Sequence, residues 1–580
     1  MIKTAKSIPL ITALGVFALA FGSSLAAAEQ PPDAASDSVP SAAPTQGVVG
    51  QGAEPVDDRA VVETAAFLAK VSMRNGALQS FVLKDARYRR GAGAQLDMVT
   101  TNRPEFYPLA LTLEGVDLTK APWQVREHSK KELVLHWAAD GLEIERVYTP
   151  GSGPYQLEVT TSVVNRGSKS RRLELASKVS HYVPRSDEEG GIPFLPVRSP
   201  WTSQGLCRHA EGDLAREDRN SLTDETERFG QASFVGTENV YFLAAEVTLS
   251  GPADTCVLEA SDRGRDSDGD PLGTLFTSTM RYPARDLGAG ERVEYKSLAY
   301  LGPKTPESLE QAGHGLPDAI DGGWFGGVSK FLTVLLRYIH DVVNNWGMAI
   351  ILLTFIVKSL LYPLTAKQMK SMARMKELKP EIDRINQLYP DDREKKGAAM
   401  MELYREKGVN PMAGCFPMLV QLPIWFSLYS SLSTNIELFH APFVFWLTDL
   451  STPDPYFVLP LALGGLMFVQ QKLTPTAGAD PVQQRTMLYM MPTMMTAFML
   501  FLPAGLCLYM FTNSALSIGQ QKLIEHQIAK GPVASPSQDS ISTSSSSTPM
   551  PAGGASPGET SRRPKPARLS KAERRSRRGK

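Results

Sequence analysis

Three regimes of hydrophobic patterning divide the chain. From about residue 61 to 302, apolar and polar positions alternate with period 2, as in Glu132–Trp137, Tyr155–Val163 and Glu291–Tyr300. Turn clusters such as Pro150–Pro154 and Asn165–Ser168 separate the runs. Many short strands with one polar face predict an antiparallel β-sandwich, assigned to 61–315. Over 324–343 the period becomes helical: Phe331, Leu332, Val334, Leu335, Ile339, Val342 and Val343 alternate with Lys330, Arg337, His340 and Asp341. Its place directly ahead of an apolar run predicts an amphipathic helix lying in the membrane interface. The third regime is apolar. Runs at 346–364, 415–434, 456–473, 487–502 and 505–522 predict five transmembrane helices. Between the first two, Met369, Met372, Met375, Leu378, Ile382, Ile385 and Leu388 recur every three or four residues, interrupted by Pro380. A second helical stretch runs from an N-cap at Asp391–Asp392 to Gly408. Joined near Tyr389–Pro390, the two make a helical hairpin within 365–414.

The ends obey other rules. Lys3 and Lys6, an apolar stretch from Ile8 to Phe21 and small residues up to Ala28 read as a secretory signal in 1–28. An uncleaved first transmembrane helix fits the same length, and either reading exports the β-domain. Residues 29–60 are rich in Pro, Ala, Ser and Gly and predict a disordered linker, as does the Ser/Pro-rich start of the tail 531–580. The formal net charge of +0 hides local asymmetry that orients the chain. The segment 365–414 holds eleven Lys/Arg, whereas 436–455 holds none and carries Glu437, Asp449 and Asp454. The positive-inside rule then puts the hairpin in the cytoplasm, 436–455 and the β-domain outside, and the C-terminus inside. The last twenty residues add ten Lys/Arg against one Glu, a basic cytoplasmic tail.

Chemistry is sparse. There is no HExxH, no P-loop and no G-x-S-x-G, and Asp266–Asp270 begins like an EF-hand loop but puts Pro271 at the sixth position and Thr277 at the twelfth. No metal, cofactor or enzymatic activity is expected. The four cysteines have no zinc spacing. Cys415 and Cys507 sit in apolar runs as small hydrophobes; Cys207 and Cys256 can pair only in an oxidising compartment, and the sequence leaves that open. The informative residue is Lys358, an ionisable group inside an apolar run. Snorkelling toward the cytoplasmic end accounts for it equally well by position. Thr354, Lys358 and Tyr362, at i, i+4 and i+8, predict one polar stripe. Gln421, Thr493, Thr496 and, on one face of the last span, Tyr509, Asn513 and Gln520 add polar groups to the other spans. With a single fixed charge and no evident acidic partner, the set predicts a water-accessible groove open to the cytoplasm. Met487, Met490, Met491, Met494, Met495 and Met499 make the fourth span methionine-rich. Plain lipid-facing filling explains them, and a pliable slide for apolar substrates, centred on Met491, Met494 and Met495, is the sharper reading.

Three stretches then carry a resemblance. Asn345–Leu364 with Lys358 inside it, Val409–Pro423 and Phe501–Leu506 are similar to signatures of the YidC/Oxa/Albino family of membrane protein insertases, with the spacing kept through 324–525. Tyr300–Lys304 after a large β-domain resembles its Gram-negative branch. The resemblance implies a membrane protein with a five-helix α-helical insertase core and an all-β periplasmic supersandwich, in the bacterial inner membrane. It also implies a groove whose basic residue is Lys358, where Arg is usual. Lys keeps the charge and loses the planar fork for carboxylates. Its implied partners are nascent inner-membrane proteins, the Sec translocon and the ribosome. A small transporter or channel with a periplasmic sensor is the rival; it would show internal repeats, and five unequal spans show none. A membrane-anchored carbohydrate enzyme lacks a paired-carboxylate signature.

Overall fold

The computed structural model describes residues 57–90, 94–119, 122–188, 201–222, 226–265, 271–321, 325–390, 392–409, 412–473 and 481–530. The signal-like segment, nearly all of the linker, the Asp266–Asp270 turn and the tail 531–580 lie outside the described residues. The described residues up to Glu525 form one compact unit; of the second unit, His526–Lys580, only 526–530 are described, and they are helical.

Alternating sequence becomes antiparallel sheet. A nine-stranded sheet runs in the order Leu214–Glu217, Gln204–His209, Ala232–Glu238, Phe242–Thr248, Arg292–Pro303, Gln156–Asn165, Leu142–Pro150, Glu132–Ala139 and Gln124–Ser129. A five-stranded sheet, Glu227–Phe229, Thr255–Arg265, Pro271–Arg281, Leu175–Pro184 and Ala110–Leu113, packs against it; a three-stranded sheet over Val61–Leu83 and two two-stranded pairs, Arg89–Arg90 with Ala94–Gln95 and Arg171–Leu173 with Arg285–Leu287, belong to the same domain. The inward positions Leu157, Val159 and Val163 of one predicted strand are at most 1% exposed, because a period of 2 sends them all to one face. Cys207 and Cys256 form a disulfide between the two larger sheets, closing the question the sequence left open. Glu246 is buried between the sheets and accepts from Ser177 Oγ at 2.5 Å. The domain's core runs past the predicted end at 315: the helix Pro306–Ala312, capped by Thr305, buries Leu309 and Ala312, and Leu316 and Ala319 turn inward after them.

The second half is helical: α1 (Gly326–Val343), α2 (Trp346–Leu360), α3 (Tyr362–Glu377), α4 (Lys379–Leu388), α5 (Arg393–Glu406), α6 (Met412–Ser433), α7 (Val458–Leu473), α8 (Pro481–Met499) and α9 (Ala504–Lys530). Asn344 closes α1 with a left-handed φ of 52°, and the Asn345 side chain accepts from the Met348 amide to open α2. Around α1, Leu332, Leu336 and Ile339 enter the helical core, while Phe331, Tyr338 and Val342 stay exposed. α1 packs on α6 and α2, and α7 packs on α8. There Gly464 has no room for a side chain, since a Cβ would run into Thr496.

One predicted element changes shape. The apolar run 346–364 is not one helix: α2 ends at Leu360 and α3 leaves it at 62°. Pro363 fits the first turn of α3, where its missing N–H has no helical partner to lose, and would break a helix continuing from α2. No single helix among the described residues is long and apolar enough to cross a membrane; the bent pair α2–α3 passes that test together. Beyond the bend, α3 leads into the hairpin formed by α4 and α5, within 365–414. Leu378, Ile382 and Leu403 join α4 to α5, Asp392 caps α5 by accepting from the Lys395 amide, and Lys407 pairs with Glu381 at 2.9 Å.

Candidate functional site

Lys358 lies in the last turn of α2, half-buried against α9. Its Nζ donates to Ser517 Oγ at 2.7 Å, and Ser517 Oγ donates to the Asn513 carbonyl one turn earlier at 2.7 Å. Gln520 Nε2 returns a bond to the Lys358 carbonyl at 3.2 Å. An ammonium has three donors, so one hydroxyl leaves it unsaturated. Among the described residues no carboxylate forms an ion pair with it. A fixed cation held by a hydroxyl alone keeps its attraction for an incoming anion, whereas an internal salt bridge would spend it.

The other polar residues divide. Asn513 belongs to the Lys358 contact through its carbonyl. Thr354 is 2% exposed and its Oγ1 bonds back to the Ile350 carbonyl at 2.7 Å, so it makes no groove. Tyr362 falls beyond the bend, in α3, and does not continue the stripe. Tyr509 is 2% exposed within the apolar core. Gln421, in α6, is half-buried and is not bonded to Lys358. Ser517 was missed on the sequence. Its signal was spacing, four residues after Asn513 and on the same face as Tyr509 and Gln520. The methionines divide too. Met487, Met490, Met491 and Met494 are 39–62% exposed, Met495 packs against the core, and Met499 is buried.

A second feature couples the halves of the large unit. In the loop 436–455, Ile436 and Phe439 are buried in the core of the β-domain rather than that of the helices. The Phe439 ring meets Trp201, Tyr241 and Phe242 at centroid distances of 6.1, 5.3 and 5.8 Å. The three acids that marked this loop as exterior hold it together. Glu437 pairs with Arg337 of α1, Asp449 accepts from the His440 and Ser451 amides, and Asp454 accepts from Trp446 Nε1 and the Leu459 amide.

Comparison with known proteins agrees with this architecture. A family model described as YidC periplasmic domain matches residues 59–336, and one described as 60Kd inner membrane protein matches 338–531. A Membrane protein insertase YidC from Geobacter metallireducens is 33% identical over 482 residues, 81% of this chain and 85% of that one. Another, from Anaeromyxobacter dehalogenans, is 34% identical over 487 residues, 80% and 84% of the two chains. A solved structure of an active YidC insertase is 19% identical, covering 82% of this chain and 95% of its own, at a TM-score of 0.33.

Proposed function

This chain belongs to the YidC family of membrane protein insertases, and we propose that it works through the α2–α9 contact centred on Lys358. The observation that carries the reading is the charge itself: a half-buried ammonium whose side-chain partner is a hydroxyl. A substrate's polar segment must cross hydrocarbon, where unpaired backbone and side-chain groups are costly. A polar groove reaching part way across shortens that distance. Lys358 draws acidic residues of the segment into it, and the membrane potential adds roughly 2.3 kcal/mol per charge per 100 mV. The substrate's apolar helix leaves along the exposed methionines Met491 and Met494. No covalent step and no nucleotide enters.

The β-domain faces the periplasm and the hairpin α4–α5 the cytoplasm. The basic excess of 365–414 supports this orientation. So does the seat of Phe439, since a loop docked in the β-domain lies on its side of the membrane. Nascent inner-membrane proteins are the substrates. The ribosome, reached by the hairpin and the basic tail, and the Sec translocon are the partners we infer.

Client insertion in cells depleted of the native protein tests the central claim. Lys358→Arg should sustain it, and Lys358→Met at equal expression should lower it about tenfold, the effect of losing one ~1.4 kcal/mol interaction. Undiminished insertion by Lys358→Met returns Lys358 to snorkelling.

A further inference from the structure

Away from Lys358, a cavity of about 400 Å³ lies where the β-domain meets α1 and the end of α6. Ligand sites run ~300–1,000 Å³. Three cations, Lys304, Lys330 and Arg337, and three carboxylates, Glu307, Glu310 and Asp321, line it, so both signs are present and the formal sum is zero. Two buried donors in its wall have no acceptor among the described residues: Arg337 Nη2 and Asn435 Nδ2. The remaining groups of both residues are engaged. Arg337 pairs through Nη1 with Glu307 and through Nε with Glu437, and Asn435 Oδ1 accepts from the Glu437 amide at 3.0 Å. Asn435 is 8% exposed. Buried donors left unpaired are expensive, and two near one cavity ask for an oxygen-rich acceptor.

The same helix supplies an apolar surface beside the polar one. Lys330, Thr333 and Arg337 recur at three and four residues on the cavity face of α1. Phe331, Tyr338 and Val342, 65, 68 and 69% exposed, form the neighbouring stripe, and Val334 belongs to both. A ligand filling this site has a polar head with both signs and an apolar body.

We propose that the cavity holds the headgroup of a zwitterionic amine phospholipid: the Arg337 and Asn435 side chains, whose Nη2 and Nδ2 are covered by protein, turn to meet its phosphate oxygens, and its acyl chains run along the stripe. The ammonium lies against Glu310, which is 61% exposed and only loosely met by Lys330 Nζ at 3.9 Å. A purely anionic headgroup brings no counterpart for the loosely paired Glu310. A quaternary ammonium calls for aromatic walls, and none of the residues lining the cavity is aromatic. A primary ammonium has three hydrogens for carboxylates and suits the site.

Native mass spectrometry of the full-length protein in detergent tests this. The probes are phosphatidylethanolamine, phosphatidylcholine and phosphatidylglycerol with the same acyl chains, and free phosphoethanolamine. The amine lipid should be retained about tenfold over the choline lipid. Asn435→Asp keeps the Oδ1 cap, removes the donor and should lower amine-lipid retention about tenfold. Glu310→Lys, at an exposed position that folding does not depend on, should turn the preference toward phosphatidylglycerol. Equal retention of all three lipids overturns the proposal, as does amine-lipid binding unchanged in Glu310→Lys and in folded Asn435→Asp. Competition by free phosphoethanolamine at lipid concentrations overturns the lipid assignment in favour of a soluble ligand.

Discussion

Ser517 decides whether Lys358 is available, because a hydroxyl orients an ammonium without neutralising it. Ser517→Ala leaves the charge and should change client insertion less than twofold. Ser517→Asp installs the missing carboxylate at the same place and should impair insertion about as much as Lys358→Met, roughly tenfold by the same ~1.4 kcal/mol reasoning. Insertion assays on the two variants side by side separate a working charge from a packed one. A second buried group tells the opposite story. Burial pushes the Glu246 carboxyl above its ordinary value, with the Ser177 and Ser297 hydroxyls and Arg146 pulling the other way. The folded state therefore holds this proton more tightly than the unfolded chain. Its contribution is complete below the ordinary carboxyl range and is lost as pH rises through the raised value. Hydrogen-exchange protection in the strand Phe242–Thr248, corrected for the intrinsic rate at each pH, should fall over that rise, and Glu246→Gln should flatten the dependence. Lys358 was legible in the sequence because a charge inside an apolar run stands out. Ser517 was not, since a helical serine usually bonds its own backbone, and Thr354 was over-read for the same reason.

At the scale of elements, periodicity is read well where one face is buried and poorly where both are apolar. The strands around Leu157 and Val163 were legible from alternation, and the Asp392 cap and the break before it from turn chemistry. The bend between α2 and α3 was hidden, because the apolar run continues through Leu361 and only Pro363 interrupts the backbone. α1 was half-legible. Its amphipathic pattern was plain, but residues assigned to one membrane face split between a core face and an exposed one. Close contact of α7 and α8 was not legible, since it rests on a glycine with no property of its own. Gly464→Ala should destabilise the helical half by about 1–3 kcal/mol by driving a methyl into Thr496. Adding Thr496→Ala should recover most of that loss, a coupling that a double-mutant cycle of thermal or denaturant unfolding reads directly.

Across the whole molecule, Ile436 and Phe439 are the apolar residues of the loop 436–455 that enter the β-domain core, and Phe439 makes three of its ring contacts there. Phe439→Ala should cost about 3–5 kcal/mol where it is fully felt. The expected readout is a broadened distance distribution between spin labels placed on the β-domain and on α9, with little change in either half's own unfolding. An unchanged distribution would assign the coupling to Arg337 and its two glutamates instead. The order of synthesis gives this latch a further meaning. The receptacle formed by Trp201, Tyr241 and Phe242 is made and exported roughly two hundred residues before Phe439 leaves the ribosome. Until the loop arrives, the domain stands with an open aromatic notch. In the orientation proposed above, only a chain threaded with 436–455 on the outer side fills it. A correctly threaded copy is therefore expected to cover this notch and an inverted one to leave it bare, so limited proteolysis of the β-domain should be faster in Phe439→Ala than in the parent protein.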